Sequence, residues 1–313
     1  MKKLYESAAK AVKQSLALRP GEQFLLVTDK QKLNIAEAMA HWAAEAGAET
    51  TTYLLTETLR PIQSPTRMFI EMIASADAVT YMLDARIEEK AFRGFMVREG
   101  TRESRICMMP GITEDMMERL VNIDFSEMAA FTKKVIGAIN DAEHVVIENP
   151  AGTYLECSVK GRRWKADIGD ISRKGSHGNL PAGECFTAPV EESFNGRLVI
   201  RLIDDKMGHG EMIFKNGRLV EHSGEGVEAI VRNIGDDETG QIVGEFGIGT
   251  NPGAMICPNM LEAEKAFGTA HFAIGDSYGL GLNSSSHHYD ALVDNITIRA
   301  DGRVIAENGR FLI

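Results

Sequence analysis

The sequence predicts an α/β protein in which an N-terminal α/β domain with a parallel sheet precedes a mixed, strand-rich α+β domain. Two observations predict this class. In the first third of the chain, strand patterns alternate with helical patterns, which is typical of a parallel sheet with helices on both faces. From about residue 144 onward, strand patterns follow one another with few helices between them. We therefore predict two domains, which cover residues 1–138 and 139–313.

The elements of the first domain follow from apolar periodicity and from the residues that begin or end helices. The predicted order is helix 4–18, strand 23–28, helix 34–46, strand 49–55, helix 65–74, strand 78–83, strand 104–108, a helix capped by Thr113, and helix 126–138. The turn after the first strand carries Asp29-Lys30-Gln31 and no glycine. A dinucleotide cofactor of the Rossmann type is therefore not expected.

The elements of the second domain are mainly strands joined by tight turns. The predicted strand segments are 144–150, 154–161, 198–204, 210–223 and 296–313, with helices at 224–234 and 258–267. Asn216-Gly217, Asp301-Gly302 and Asn308-Gly309 are typical of hairpin turns. Consecutive strands of this kind predict an antiparallel or mixed sheet.

The composition is that of an ordinary globular protein, with 44% hydrophobic and 25% charged residues among 313. A net charge of −11 without a basic stripe argues against nucleic acid as a partner. No run of about 18 apolar residues occurs, so we expect no membrane span. The N-terminal segment lacks the apolar core of a signal peptide, and the four cysteines lack metal-type spacing. These features predict reduced thiols and a cytoplasmic location.

Two glutamates stand in surroundings that predict partial burial. Glu184 follows the turn Leu180 to Gly183 at the entry to a strand, and Glu245 lies between Gly244 and Phe246. A surface carboxylate at a loop end is the ordinary interpretation of such a residue. Because a buried glutamate usually has a cation or a metal as its partner, the apolar and glycine neighbours favour a binding role.

Two histidines and an aspartate follow in the same part of the chain. His271 precedes the apolar run FAIG and is predicted to lie on a strand. His288 and Asp290 are two residues apart, so an extended segment places both side chains on one face, while His287 points the other way. Imidazole and carboxylate ligands together suit Zn²⁺, Mn²⁺, Co²⁺ or Fe²⁺.

Tyr278 and Glu264 are candidates with two interpretations each. Tyr278 is either an aromatic residue packed at the base of a loop or a phenol that donates to a developing oxyanion. Glu264 is either an exposed helical residue paired with Lys265 or a further ligand, since it precedes His271 closely.

These residues occur in blocks that resemble the aminopeptidase T family of metallopeptidases, which includes aminopeptidase S. The blocks are NLPAGE-x-FTAP-x-E-x-S-x-NG at Asn179–Gly196, E-x-GIGTNP at Glu245–Pro252, EK-x-x-GTAH-x-A-x-G at Glu264–Gly275 and H-x-D at His288–Asp290. They come in the order found in the family and cover most of residues 145–313, while the N-terminal third matches more loosely.

The resemblance implies a site with two divalent metal ions (zinc, cobalt or manganese) in the C-terminal domain. Glu184 would bind one ion and Glu245 would bridge both. The remaining implied ligands are His271, His288 and Asp290, with Glu264 as a further one. Tyr278 lies where the family carries a tyrosine near the metals.

The activity implied is that of a metallo-aminopeptidase, a hydrolase that removes N-terminal residues from small peptides. Glu184 would pass a proton to the leaving amine, and Tyr278 would stabilise the tetrahedral intermediate. We also expect a homodimer formed mainly through the C-terminal domain, because its consecutive strands leave sheet edges that need cover.

Two other functions remain open. The sequence is also similar to 2,5-dihydroxypyridine 5,6-dioxygenase, a shorter relative of the same fold with a single Fe(II) held by two histidines and one aspartate. The corresponding residues would be His271, His288 and Asp290. A metal-binding or degenerate homologue with a structural role is the third alternative, and the intact set of ligand residues argues against it.

Overall fold

The computed structural model of the chain describes residues 2–62, 64–84, 86–203 and 205–313. Contacts divide the chain into two compact units, the first made of Met1–Asp124 and Gly169–Ala182 and the second of Phe125–Ile168 and Gly183–Ile313. The proposed boundary between residues 138 and 139 falls at the C-terminal end of a helix in the second unit, and it stays a prediction. In the described part of the chain, each helix is too short or too polar to cross a lipid bilayer. Among the described residues, none of the four cysteines forms a disulfide bond.

The helices of the described residues are short to medium in length. They are α1 (Lys2–Lys10), α2 (Leu33–Glu45), α3 (Arg67–Ser75), α4 (Lys90–Gly100), α5 (Glu114–Met116), α6 (Phe125–Ile139), α7 (Glu225–Ile234) and α8 (Met260–Ala263). Helix α1 continues as a π-helical turn over Ala11–Ser15, and α5 continues in the same way over Met117–Val121.

The strands belong to two sheets, one in each unit. They are β1 (Gln23–Asp29), β2 (Glu49–Leu55), β3 (Ala78–Met82), β4 (Arg105–Met108), β5 (Val145–Glu148), β6 (Tyr154–Cys157), β7 (Lys165–Asp167), β8 (His177–Asn179), β9 (Glu184–Thr187), β10 (Asn195–Ile203), β11 (Lys206–Lys215), β12 (Arg218–Ser223), β13 (Val243–Gly249), β14 (Ala270–Gly275), β15 (His288–Val293), β16 (Thr297–Ala300), β17 (Arg303–Glu307) and β18 (Arg310–Phe311). The predicted α/β class is confirmed.

The first unit is built on a parallel sheet with the strand order β2-β1-β3-β4-β8. All of β3 and all of β1 except its first residue are buried, as expected for strands covered on both faces. Leu25, Val27 and Tyr81 of these strands pack with Phe69 of α3 and Phe92 of α4 in the core of this unit. Helix α4 and strand β8 were not predicted from the sequence.

A buried ion-pair network lies at the carboxyl end of β1. The side chains of Arg60 and Glu89 are fully buried, and Nη2 of Arg60 lies 2.6 Å from Oε2 of Glu89. Nη1 of Arg60 lies 3.3 Å from Oδ2 of Asp29, which also accepts the backbone N–H of Asp84. Burial raises the pKa of Glu89, but the hydrogen bonds from Arg60 and from the backbone of Ile62, together with the charge of Arg60, outweigh burial and lower the pKa overall. Each buried charge of the network has a partner of opposite sign, so removal of one partner would leave a buried charge uncompensated.

The second unit is built on a sheet with the order β18-β17-β16-β5-β6-β10-β15-β14-β13-β9-β7, in which β11 also pairs with β10 and β12 pairs with β11. Neighbouring strands are antiparallel. The buried side chains of one face form the core of the unit together with α6 and α7. Phe246 of β13 stacks on Phe272 of β14 within this core, with ring centroids 5.2 Å apart.

Candidate metal centre

Neighbouring antiparallel strands of the second unit carry most of the predicted site residues. The strands lie in the order β15-β14-β13-β9. His288 and Asp290 lie on β15, His271 on β14, Glu245 on β13 and Glu184 on β9, while Glu264 directly follows α8. Pairing of the strands therefore brings together residues that are far apart in the sequence.

Small residues on the same face of the sheet make room for these side chains. Ala273 pairs with Glu245 on one side and with Asp290 on the other, and Gly247 pairs with His271. A Cβ atom at Gly247 would lie 2.0 Å from Nε2 of His271, so a side chain there would displace the imidazole. Small residues and site residues therefore share one face of these strands, while the aromatic residues between them face the core on the other side.

The first ligand group consists of Glu184, Glu264 and His271, whose ligand atoms all lie within 4.8 Å of one another. Nε2 of His271 lies 3.3 Å from Oε2 of Glu184. Oε2 of Glu184 and Nδ1 of His271 are buried and have no hydrogen-bond partner among the described residues. A buried carboxylate oxygen without a donor is costly, so the group fits a cation.

A lysine is also part of the surroundings of the first ligand group. The side chain of Lys265 is fully buried, and its Nζ donates to Oε1 of Glu184 at 3.0 Å and to Oε1 of Glu264. Burial alone lowers the pKa of Lys265, but the charges of Glu184 and Glu264 outweigh burial, so the pKa is raised. The lysine is therefore a charged ammonium in the site.

The second ligand group consists of Glu245, His288 and Asp290, and its ligand atoms also lie within 4.8 Å of one another. Nε2 of His288 lies 3.5 Å from Oδ1 of Asp290 and 3.8 Å from Oε2 of Glu245. Nδ1 of His288 donates to the backbone oxygen of Asp276 at 2.8 Å. This hydrogen bond fixes the imidazole so that the lone pair of Nε2 is directed to the carboxylates, as in many metal sites.

Glu245 connects the two ligand groups. Its Oε1 lies 3.1 Å from Nε2 of His271, which belongs to the first group. Its Oε2 lies 3.8 Å from Nε2 of His288, which belongs to the second group. The carboxylate therefore offers one oxygen to each group, which is the arrangement that a bridging ligand requires.

The pKa values of His271 and Glu264 are both raised in the centre. Burial lowers the pKa of His271, but the hydrogen bond with Glu245 and the charge of Glu184 outweigh burial and raise the pKa to about 10. Burial raises the pKa of Glu264; Lys265 opposes this effect and Glu184 adds to it. The carboxylates around His271 therefore favour a positive charge there, whereas the shift of Glu264 comes first from its burial.

Tyr278 lies on the turn after β14, close to the second ligand group. Its ring centroid is 4.4 Å from that of His288. Its backbone has a φ of +50°, which is uncommon for tyrosine, and its N–H donates to Oδ2 of Asp276 at 3.2 Å. Although 51% of the residue is exposed, loss of water around the phenol, followed by the charge of Asp290, raises its pKa. The turn therefore holds a protonated phenol beside the site.

The structure brings the predicted residues together, with Glu264 largely buried instead of exposed. Their roles as ligands and catalysts stay predictions. Two contributions to the site were not predicted from the sequence. Lys265 was expected to pair only with Glu264, although the adjacent Glu-Lys pair suggested a charged partner in the site. Asp276 contributes through its backbone oxygen, which no sequence pattern reveals.

The chain belongs to the family described as thermophilic metalloprotease (M29), which its sequence matches over residues 123–311. The resemblance to metallopeptidases is thereby confirmed. Membership in a metalloprotease family supports a metallopeptidase and implies a divalent metal ion, which the two ligand groups could hold.

Two solved structures share the fold. The 2,5-dihydroxypyridine dioxygenase from Pseudomonas putida KT2440 is 16% identical with a TM-score of 0.75, over 99% of this chain and 96% of that chain. Wild-type AmpT from Thermus thermophilus is 18% identical with a TM-score of 0.74, over 100% of this chain and 99% of that chain. At these identities the similarity establishes the fold alone. No curated protein sequence matches the chain significantly.

Proposed function

We propose that the chain is a metal-dependent aminopeptidase with two divalent metal ions in its second unit. The observation that carries the proposal is the position of Glu245, which directs one oxygen to His271 and the other to His288. A carboxylate between two groups of ligands is suited to bridge two ions, whereas a site for one ion does not require it. Family membership supports hydrolysis of peptides.

The proposed ligands are those of the two groups. Glu184, Glu264 and His271 would hold one ion, and Glu245, His288 and Asp290 the other, with Glu245 shared. Zinc, cobalt and manganese all accept imidazole and carboxylate ligands. Divalent ions bound there would supply a Lewis acid for the scissile carbonyl and a water of lowered pKa.

Two side chains are proposed to act on the substrate. Glu184 has one oxygen held by Lys265, so Oε2 is the atom at which it either binds a metal or carries a proton to the leaving amine. Tyr278 would donate its phenol O–H to the oxygen that becomes negative in the tetrahedral intermediate. Its ring lies against His288, which places the phenol next to the second ligand group.

The proposed substrate is a small peptide with a free N-terminus, whose α-amine would bind one metal ion or an acidic group of the centre.

We further propose a homodimer formed mainly through the second unit. Val220 of β12 and Met207 of β11 are 50% and 40% exposed, and β12 is an edge strand among the described residues. An exposed edge with apolar side chains is a surface that a second copy can cover. Light scattering at micromolar concentration tests this, and a fully active monomer would exclude it.

The alternative proposal is a mononuclear Fe(II) ring-cleaving dioxygenase of the 2,5-dihydroxypyridine type. Its support is the fold shared with the Pseudomonas putida dioxygenase. His271, His288 and Asp290 would then form one facial triad. The two histidines fall in different ligand groups in this chain, which favours the two-metal hydrolase.

The test begins with protein purified without added metal, whose metal content is measured by elemental analysis. Metal-free protein is then reloaded with zinc, cobalt or manganese and assayed on a leucyl peptide with a free N-terminus and on the same peptide with an acetylated N-terminus. The aminopeptidase proposal requires about two ions per chain and cleavage of the free peptide only. One iron per chain with oxygen consumption on 2,5-dihydroxypyridine would instead establish the alternative.

A further inference from the structure

The ammonium of Lys265 is a cation built into the first ligand group. It is fully buried and donates to one carboxylate oxygen of Glu184 and to one of Glu264. Each of these carboxylates therefore has one oxygen that accepts no hydrogen bond from Lys265. The remaining oxygen of Glu184 is buried and accepts no hydrogen bond among the described residues.

The second ligand group has a different environment. Both oxygens of Glu245 face imidazoles, at 3.1 Å for His271 and 3.8 Å for His288. An imidazole must be neutral to bind a metal, so these contacts do not keep a positive charge beside Glu245 once an ion is present. The ammonium of Lys265, in contrast, belongs to the first ligand group itself, where it contacts two carboxylates.

We infer that Lys265 makes the two subsites unequal, so that the second ligand group binds its ion first and the first group binds an ion more weakly. This inference rests on the two-metal function proposed above. An ion held by Glu184 would share that carboxylate with the ammonium of Lys265, so the two positive charges would repel each other. The hydrogen bonds from Lys265 also draw negative charge away from the oxygens that would bind the ion. Lys265 is thus a positioning residue that acts through Glu184 and Glu264.

The consequence is a protein that holds one ion at low metal concentration and a second ion only at higher concentration. Because water activation and carbonyl polarisation are shared between two ions in co-catalytic sites, hydrolysis would follow the occupancy of the weaker subsite. Lys265 would then set the metal concentration at which the chain becomes active.

The test is a titration of the metal-free chain with Mn²⁺, followed by calorimetry for the affinities and by electron paramagnetic resonance for pairs of coupled ions. Wild-type protein should bind two ions in separate steps that differ by at least ~10-fold in affinity, given the strength of charge repulsion in a buried site. Asp290→Asn should remove the tight step and Glu264→Gln the weak one. Lys265→Met should strengthen the weak step by ~10-fold or more, and Lys265→Arg, which keeps the charge, should leave the two steps separate.

Each outcome decides the inference. Two equal steps in the wild type, loss of the weak step in Asp290→Asn, or a weaker second step in Lys265→Met would overturn it while leaving the two-metal function intact. Binding of fewer than two ions at saturation would overturn the proposed function and this inference with it. If Lys265→Met does not fold, the assignment of the two steps by Asp290→Asn and Glu264→Gln decides the question in chains that retain the lysine.

Discussion

Nδ1 of His288 lies 2.8 Å from the backbone oxygen of Asp276, and this hydrogen bond determines which nitrogen of the imidazole faces the site. Nε2 is left to face Asp290 at 3.5 Å. Because the partner is a backbone atom, the turn that follows β14 helps to fix the orientation of His288. The same turn presents Tyr278, so the ligand and the phenol are positioned by one local structure.

His288→Ala should weaken binding of one metal ion and leave the fold intact. Removal of a ligand should exceed the ~10–100-fold loss of affinity that is typical of removing a partner outside the first shell. His287→Ala is the matched control, because its ring faces Asp237, with Nε2 3.6 Å from Oδ2. Metal content after dialysis should fall only in the first variant. Equal metal content in the two variants would show that His288 is not a ligand.

Glu245→Gln should abolish most of the activity while the chain stays folded. The amide has one oxygen and no charge, so it cannot offer an anionic oxygen to both His271 and His288. We expect activity to fall by at least ~100-fold, since a ligand should matter at least as much as its outer partners. Glu221→Gln, on an exposed part of β12, is the control. Near-normal turnover with two bound metals would refute the bridging role.

Much of the centre could be predicted because its local signals are strong. The spacing of His288 and Asp290 places both on one face of any strand, and β15 begins at His288 as this requires. The glycine and apolar neighbours of Glu245 predicted its burial, and the residue is 7% exposed. These features depend on residues near one another in sequence, where periodicity and residue size carry the information.

The remaining features depend on contacts between distant parts of the chain. The register that brings Gly249 of β13 opposite Glu184 of β9 has no sequence signature, so the distances within the ligand groups could not be derived. Strand β8 contains only His177, Gly178 and Asn179, and its backbone pairing with β4 gives no apolar pattern. The burial of Lys265 likewise appears only when Glu184 and Glu264 are brought together.

Tyr278→Phe should lower kcat by about a hundredfold with unchanged metal content, as expected when one donor to an oxyanion is removed. The aromatic ring remains, so the contact with His288 is retained and any structural role of the ring is preserved. Steady-state kinetics together with metal analysis would separate the two roles. A loss of metal comparable to that in His271→Ala would make Tyr278 a ligand instead of a donor.

Glu89→Ala should destabilise the first unit without changing metal binding. The substitution removes the carboxylate that pairs with the buried guanidinium of Arg60, so the free energy of unfolding should fall by about 3–5 kcal/mol. Glu88→Ala, at an exposed position next in sequence, is the control.

The contribution of Glu89 to stability also depends on pH. Since the pKa of Glu89 is lowered from 4.5 in the folded chain, this contribution is complete above pH 4.5 and is lost as the pH falls through the pKa of the folded state. Urea titrations at neutral and acidic pH measure both effects, and a wild-type chain no more acid-sensitive than Glu89→Ala would contradict the assignment.

Removal of metal should lower the melting temperature, because an ion that binds only the folded chain stabilises it. At a free ion concentration one hundred times the dissociation constant, the expected stabilisation is about 2.7 kcal/mol for a single site. Scanning calorimetry with a chelator and with added Zn²⁺ or Mn²⁺ measures the difference. Glu245→Gln should show a smaller shift, since it loses the carboxylate between His271 and His288, whereas Glu221→Gln should behave as the wild type. A melting temperature that is the same with chelator and with metal would mean that neither ligand group holds an ion in the folded protein.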